Sequence, residues 1–114
     1  MTQPGMPPSV PSVPATEVPH DAYLLDVREP DEWAAGHVEG AHHVPLDDLP
    51  ARVQELPTDR EVVVTCRAGG RSSRAVAWLR AQGRTAVNLD GGMQAWAAAG
   101  RPMVSDGPGQ PEVI

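Results

Sequence analysis

The sequence has only one cysteine and no lysine. The single cysteine, Cys66, excludes an internal disulfide and a cysteine-rich metal site. An adduct on Cys66 would have no resolving thiol in the same chain and would have to pass to another molecule. All nine basic residues are arginine, and fifteen acidic residues leave a net charge of −6. Because nucleic acids and anionic membranes bind basic surfaces, we expect neither as a partner.

The sequence also has no signal peptide and no apolar run long enough to span a bilayer, so a cytoplasmic location is the default expectation. Its 114 residues suit one small domain that buries roughly 60–65% of the unfolded surface. We expect a monomer without cofactor or metal. The distribution of proline and glycine predicts a domain over residues 11–103 between flexible tails, a Pro-rich one at 1–10 and another at 104–114.

Strand-like and helix-like segments alternate along the predicted domain. Strands are expected from β-branched and apolar composition near residues 12–13, at 23–27, before residue 45, at 62–64 and at 85–89. Helices are expected from composition, apolar spacing, Pro at a first turn and Gly stops at 30–35, 46–56, 72–82 and 93–99. This alternation predicts an α/β fold with a small open, mostly parallel central sheet flanked by helices on both faces.

Cys66 follows the most apolar short run, Val62–Val64, which suits a buried central strand. Ligands of open α/β sheets bind at the carboxyl ends of strands. A glycine loop and a helix that Ser72 could cap come next, and both direct backbone N–H groups at an anion. Such settings lower cysteine pKa values from about 8.5 to roughly 3.5–7.5. Cys66 is therefore a candidate nucleophile, with a buried structural thiol as the alternative.

Four separated motifs resemble those of the rhodanese-like single-domain sulfurtransferases. They are Leu25-Asp26-Val27-Arg28-Glu29-Pro30-Asp31-Glu32-Trp33, Gly36-His37-Val38-Glu39-Gly40-Ala41-His42-His43-Val44-Pro45, Cys66-Arg67-Ala68-Gly69-Gly70-Arg71-Ser72 and Leu89-Asp90-Gly91-Gly92-Met93-Gln94-Ala95-Trp96. The resemblance extends from about residue 10 to residue 102 and implies a rhodanese-like fold.

The resemblance also implies a mechanism in two half-reactions. The Cys66 thiolate would take the outer sulfur of a donor such as thiosulfate, and the resulting persulfide would pass it to cyanide or a thiol. Backbone amides would cradle the terminal sulfur, and two arginines would steer the anionic donor. Substrate binding would involve the loop residues Arg67, Ala68, Gly69, Gly70, Arg71 and Ser72.

Other activities stay open beside this one. The chain could be a sulfur carrier or interaction module that turns over small donors poorly, and its donor could be mercaptopyruvate or a protein persulfide. Phosphatases of the related fold need a wider loop, with arginine at the position of Ser72, so phosphatase or arsenate reductase activity is disfavoured.

The remaining polar and aromatic residues of the motifs are expected to be structural. For Asp26 we favour an ion pair or turn over a role in orienting Arg28 near the site. The histidines at 37, 42 and 43 suggest a metal or a base, but they lack acidic neighbours beyond Glu39, and an ionised thiolate needs no separate base.

Overall fold

The computed structural model describes residues 9–114, which form five strands and four α-helices. The predicted tail at residues 1–10 lies almost wholly outside the described part. The strands are β1 Ser12–Pro14, β2 Tyr23–Asp26, β3 His42–His43, β4 Val62–Thr65 and β5 Ala86–Asp90. The helices are α1 Pro30–Ala35, α2 Leu49–Arg52, α3 Gly70–Ala81 and α4 Gly92–Ala98, and short 3₁₀ turns cover Ala15–Glu17, Leu46–Asp48 and Val53–Glu55.

The strands form one open parallel sheet in the order β1-β5-β4-β2-β3. All four residues of the central strand β4 are buried, as expected for a parallel strand with both faces covered. The predicted fold class is therefore confirmed, and so is the predicted edge strand at residues 12–13.

Helices cover both faces of the sheet. Because successive side chains of a strand point to opposite faces, Val62 and Val64 pack in one buried cluster and Val63 in the other. The first cluster includes Val76 and Leu79 of α3, and the second includes Met93 and Trp96 of α4. Strand β4, and with it the start of the Cys66 loop, is therefore held from both sides.

Helix α3 begins two residues earlier than predicted. Its N-cap is Gly69, whose φ of 112° lies in the left-handed region that favours glycine, and Ser72 lies inside the first turn. The predicted capping role of Ser72 was therefore wrong. The expected helix over residues 46–56 is divided into a 3₁₀ turn, the short helix α2 with Pro50 in its first turn, and another 3₁₀ turn.

Residues 104–114, for which composition predicts a flexible tail, lie against the domain. Val104 forms an antiparallel bridge with His37, and the N–H groups of Asp106 and Glu112 donate to the carbonyls of Ala34 and Ala35. These carbonyls end α1 and lack partners within the helix. Residues 104–114 supply those partners. The need for them arises from the tertiary fold, and composition alone does not reveal it. No helix within residues 9–114 has both the length and the apolar character needed to cross a membrane.

Candidate active site

The sulfur of Cys66 lies at the carboxyl end of β4, directly after the strand. Cys66 is 1% exposed, and its Sγ accepts hydrogen bonds from the N–H of Gly69 at 3.0 Å and the hydroxyl of Ser72 at 3.2 Å. Ser72 itself is fully buried. The loop thus turns back so that one main-chain and one side-chain donor point at the sulfur.

These donors act on the pKa of Cys66 against the effect of its burial. Burial by itself raises the pKa of the thiol, because it disfavours the charged form. The hydroxyl of Ser72 and the N–H groups of Ser72, Gly69 and Ala68 stabilise the thiolate, and together they outweigh burial. The pKa of Cys66 is therefore below its ordinary value, which favours the thiolate form of this residue.

The start of helix α4 donates hydrogen bonds to the backbone of the Cys66 loop. The N–H of Met93 donates to the carbonyl of Cys66 at 2.8 Å, and that of Gln94 donates to the carbonyl of Arg67 at 3.0 Å. Gly92 permits this approach, since it has a φ of 59° and a Cβ there would lie 2.7 Å from the Arg67 oxygen. Asn88 adds a hydrogen bond of 3.0 Å to Ser73. The loop and the start of α3 are consequently held by two other elements, α4 and β5.

Arg71, a predicted donor-steering residue, forms a two-pronged ion pair with Glu32 of α1. Its guanidinium nitrogens lie 2.7 and 2.8 Å from the two carboxylate oxygens. Chiefly because of this pair, the pKa of Glu32 falls to about 2 and the pKa of Arg71 rises. Glu32 also accepts a hydrogen bond from the N–H of Glu29, at the start of α1. Sequence reasoning missed Glu32 as a partner of the loop, although it lies in the first motif.

Arg67, the other predicted steering residue, is exposed and contacts the end of the described chain. Its Nε donates to the carbonyl of Ile114 at 3.0 Å. With the amide of Gln94 turned so that its oxygen faces Arg67, that oxygen accepts from the two terminal guanidinium nitrogens at 3.0 and 3.2 Å. Both predicted arginines therefore lie beside the cysteine, and both already have protein partners.

A cavity of about 790 Å³ opens at Cys66 and continues along α3. Four of the six predicted loop residues line it, whereas Gly69 and Ser72 donate to the sulfur instead. Arg74 of α3 also lines it. The lining residues are Cys66, Arg67, Ala68, Gly70, Arg71, Ser73, Arg74 and Ala77. None of them is acidic, in contrast to the acidic chain as a whole.

Asp26 and Arg28 form a buried ion pair, which is the structural role that the sequence predicted for Asp26. Arg28 is fully buried, and its Nη2 lies 2.7 Å from the Asp26 carboxylate. Its other donors reach the carbonyls of Glu32 and Gly36 at 3.2 and 2.8 Å. The pair therefore joins β2 to the middle and to the C-cap of α1.

The histidines of the second motif have structural contacts. The rings of His37 and His43 stack on Trp33 with centroids 3.7 and 4.7 Å away, and His42 contacts Glu55. Among residues 9–114, no group of three or more His, Cys, Asp or Glu side chains is arranged to hold a metal ion.

Comparison with known proteins agrees with this architecture. The family model of the rhodanese-like domain matches residues 15–99. A sulfurtransferase of Allochromatium vinosum is 45% identical over 86 residues, which cover 75% of this chain and 80% of that protein. The crystal structure of a rhodanese-related protein from Thermoplasma volcanium has a TM-score of 0.79 at 32% identity and covers 82% of this chain and 97% of its own. That of a thiosulfate sulfurtransferase from Pseudomonas aeruginosa has a TM-score of 0.76 at 29% identity and covers 86% of this chain and 20% of its own. The chain therefore belongs to the rhodanese-like domain family of sulfurtransferases.

Proposed function

We propose that this protein transfers a sulfane sulfur from an anionic donor such as thiosulfate to cyanide or a thiol, through a persulfide on Cys66. The observation that carries the proposal is the environment of Sγ. Hydrogen bonds from Gly69 and Ser72 lower the pKa of the thiol, and the sulfur faces a cavity that arginines line. A nucleophilic thiolate thus meets a site that attracts anions.

In the first half-reaction, the electron pair of the Cys66 thiolate attacks the outer sulfur of thiosulfate. A bond between Sγ and that sulfur forms, the sulfur–sulfur bond of thiosulfate breaks, and sulfite leaves with the bonding pair. In the second, cyanide or a thiolate attacks the outer sulfur of the persulfide, and the Sγ–S bond breaks with its electron pair on Sγ. Thiocyanate or a new persulfide leaves, and the thiolate is regenerated without an external oxidant or reductant.

The loop supplies the binding groups for these steps. The outer sulfur of the persulfide carries the negative charge, and backbone N–H groups between Arg67 and Ser72 would stabilise it as an oxyanion hole stabilises oxygen. Arg67 and Arg71 contribute positive charge beside the sulfur. The guanidinium of Arg71 already bonds to Glu32, so we assign Arg71 only attraction of the donor through its charge. Arg67 can exchange its exposed contacts for direct hydrogen bonds to the donor's oxygens.

A second candidate is a sulfur carrier that receives its sulfur from a protein partner. The match to about a fifth of a probable adenylyltransferase/sulfurtransferase of Mycobacterium tuberculosis supports this candidate, because a domain within such a chain can exchange sulfur with a protein partner. This alternative shares the Cys66 persulfide and differs in the donor.

Intact-protein mass spectrometry tests the proposal. The protein is incubated with thiosulfate and then with cyanide, with Cys66→Ser alongside. We expect the mass of one sulfur atom to appear on the wild type only and to disappear with cyanide. Because Cys66 is the sole cysteine, no other thiol can account for the adduct. An adduct on Cys66→Ser would contradict the mechanism, and loading by inorganic polysulfide but not by thiosulfate would favour the carrier.

A further inference from the structure

The cavity at Cys66 is much longer than thiosulfate. Its lining extends from Cys66 past Gly70 to Ala77, seven residues along α3, or about 10 Å at the rise of an α-helix. Its volume of about 790 Å³ lies in the range of roughly 300–1,000 Å³ that is typical of sites for larger organic ligands. A compact tetrahedral anion at the sulfur leaves most of this space for another molecule.

Arg74 is the cation in the part of the cavity that lies away from the sulfur. Gly70, Arg74 and Ala77 follow one another at helical spacing on one face of α3, so small residues lie on both sides of Arg74 along that face. A second cavity of about 170 Å³, lined by apolar residues such as Leu46 and Trp78, adjoins Arg74. The side chain is therefore open to a ligand along the groove.

The three arginines of the cavity differ in their partners. Arg71 is paired with Glu32, and Arg67 contacts Ile114 and Gln94. The side chain of Arg74 has no hydrogen bond and no ion pair with any residue from 9 to 114. One guanidinium with its donors free presents a planar fork, and this geometry matches a single carboxylate.

We propose that the sulfur acceptor is a thiol that carries a carboxylate several bonds from its sulfur, and that Arg74 binds this carboxylate as a specificity residue. The inference rests on the persulfide chemistry of the proposed function. The acceptor's thiolate attacks the outer sulfur of the Cys66 persulfide, a new sulfur–sulfur bond forms, and the Sγ–S bond breaks with its electron pair on Sγ. The acceptor leaves as a persulfide and Cys66 is left as a thiolate, so the charge and the number of sulfur atoms are the same before and after the step.

The position of Arg74 along the groove determines which thiols fit. Arg74 is four residues beyond Gly70, about 6 Å along the helix axis. A carboxylate directly beside the thiol would remain near Arg67 and Arg71, whereas one at the end of a chain of several carbons reaches Arg74. Ala68 and Ala77 offer apolar contact to such a chain.

The test compares two acceptors of equal length, ω-mercaptohexanoate and ω-mercaptohexanol, which differ only in the terminal carboxylate. Cys66 is loaded with sulfur by thiosulfate or, separately, by inorganic polysulfide, and its discharge is followed by mass spectrometry at several acceptor concentrations. We expect the acid to discharge the persulfide with a half-saturating concentration about tenfold lower than that of the alcohol. The ratio within one protein cancels changes in the reactivity of Cys66.

Variants assign this preference to one side chain. Arg74→Gln should reduce the ratio to about one, and Arg74→Lys should retain part of it because it keeps the charge. Arg80→Gln, on the same helix but outside the cavity lining, should leave the ratio at its wild-type value.

Equal discharge by the two thiols in the wild type, or an unchanged preference in Arg74→Gln, would overturn the assignment. The two loading reagents separate this outcome from failure of the proposed function. If polysulfide loads Cys66 and thiosulfate does not, the thiosulfate donor is wrong while the acceptor comparison still decides the role of Arg74. If neither loads Cys66, both proposals fall.

Discussion

The Ser72 hydroxyl is the one side-chain group that donates a hydrogen bond to the sulfur of Cys66 among the residues described. It lies 3.2 Å from Sγ, and Ser72 is fully buried. In Ser72→Ala we expect the pKa of Cys66 to rise, because burial then opposes the thiolate with fewer donors to offset it. The rate of alkylation by iodoacetamide as a function of pH measures this, and its midpoint should move to higher pH.

Ser73→Ala is the matched control for that experiment. Its hydroxyl accepts from Asn88 and makes no contact with the sulfur, so the midpoint should stay at the wild-type value. Each substitution removes one hydrogen bond and should cost about 1 kcal/mol of folding stability. An unshifted midpoint in Ser72→Ala would mean that the backbone N–H groups alone hold the thiolate.

Single residues also show how far the sequence predicts the site. Cys66 and its loop could be recognised because they are consecutive and because a strand, glycines and a helix surround them. Partners such as Glu32 could not, since it lies 39 residues from Arg71 and meets it only when two helices pack. Ser72 was misassigned as a cap for a related reason: serine favours caps, but here its hydroxyl bonds to the sulfur.

At the scale of elements, the ion pair between Glu32 and Arg71 joins helix α1 to helix α3. Both carboxylate oxygens take part, and Glu32 is 13% exposed at its side chain. Its pKa in the folded chain is about 2, below the ordinary value of 4.5. A depressed carboxyl pKa stabilises the fold above about pH 4.5, and this contribution is lost as the pH falls toward 2.

We therefore expect Glu32→Gln to lower the free energy of unfolding by about 1–3 kcal/mol at neutral pH. The difference from the wild type should shrink below about pH 4.5 and nearly vanish near pH 2. Urea unfolding at a series of pH values measures it. Glutamine keeps an oxygen that can accept from the N–H of Glu29, so the start of α1 is preserved.

Glu55→Gln provides a comparison on the surface. Glu55 pairs with Arg52 and also has a pKa of about 2, but solvent screens this pair. Its substitution should change stability less than Glu32→Gln does. A difference for Glu32→Gln that stays constant from neutral to low pH would show that the ion pair is not its source.

The elements themselves were predictable wherever local composition was decisive. The β-branched run of β4 and the helix-forming residues of α3 and α4 lie close to their predicted positions. The segment between residues 46 and 56 has helical apolar spacing, yet Pro50 lacks the N–H that a continuous helix needs. It consequently folds as a short helix between two 3₁₀ turns.

At the scale of the whole molecule, residues 104–114 link α1 to the Cys66 loop. The segment contacts Ala34 and Ala35 through the N–H groups of Asp106 and Glu112, and its last carbonyl accepts from Arg67. Val113 packs against the buried cluster that contains Trp96. Glycine and proline predict mobility here. The apolar contacts and the open carbonyls of α1 that would hold the segment depend on the tertiary fold, which composition does not encode.

Amide hydrogen exchange followed by NMR distinguishes a bound segment from a free one. We expect the N–H groups of Asp106 and Glu112 to exchange about tenfold or more slowly than those of Gly107 and Gly109, to which the structure assigns no acceptor. For each N–H group, the intrinsic exchange rate expected from the local sequence is divided by the measured rate, and these ratios are compared. Val113→Ser should reduce the protection of Glu112, because it removes the apolar contact that holds this end in place. Equal and fast exchange along residues 105–114 would restore the flexible tail, and Arg67 would then be free of Ile114 when the donor arrives.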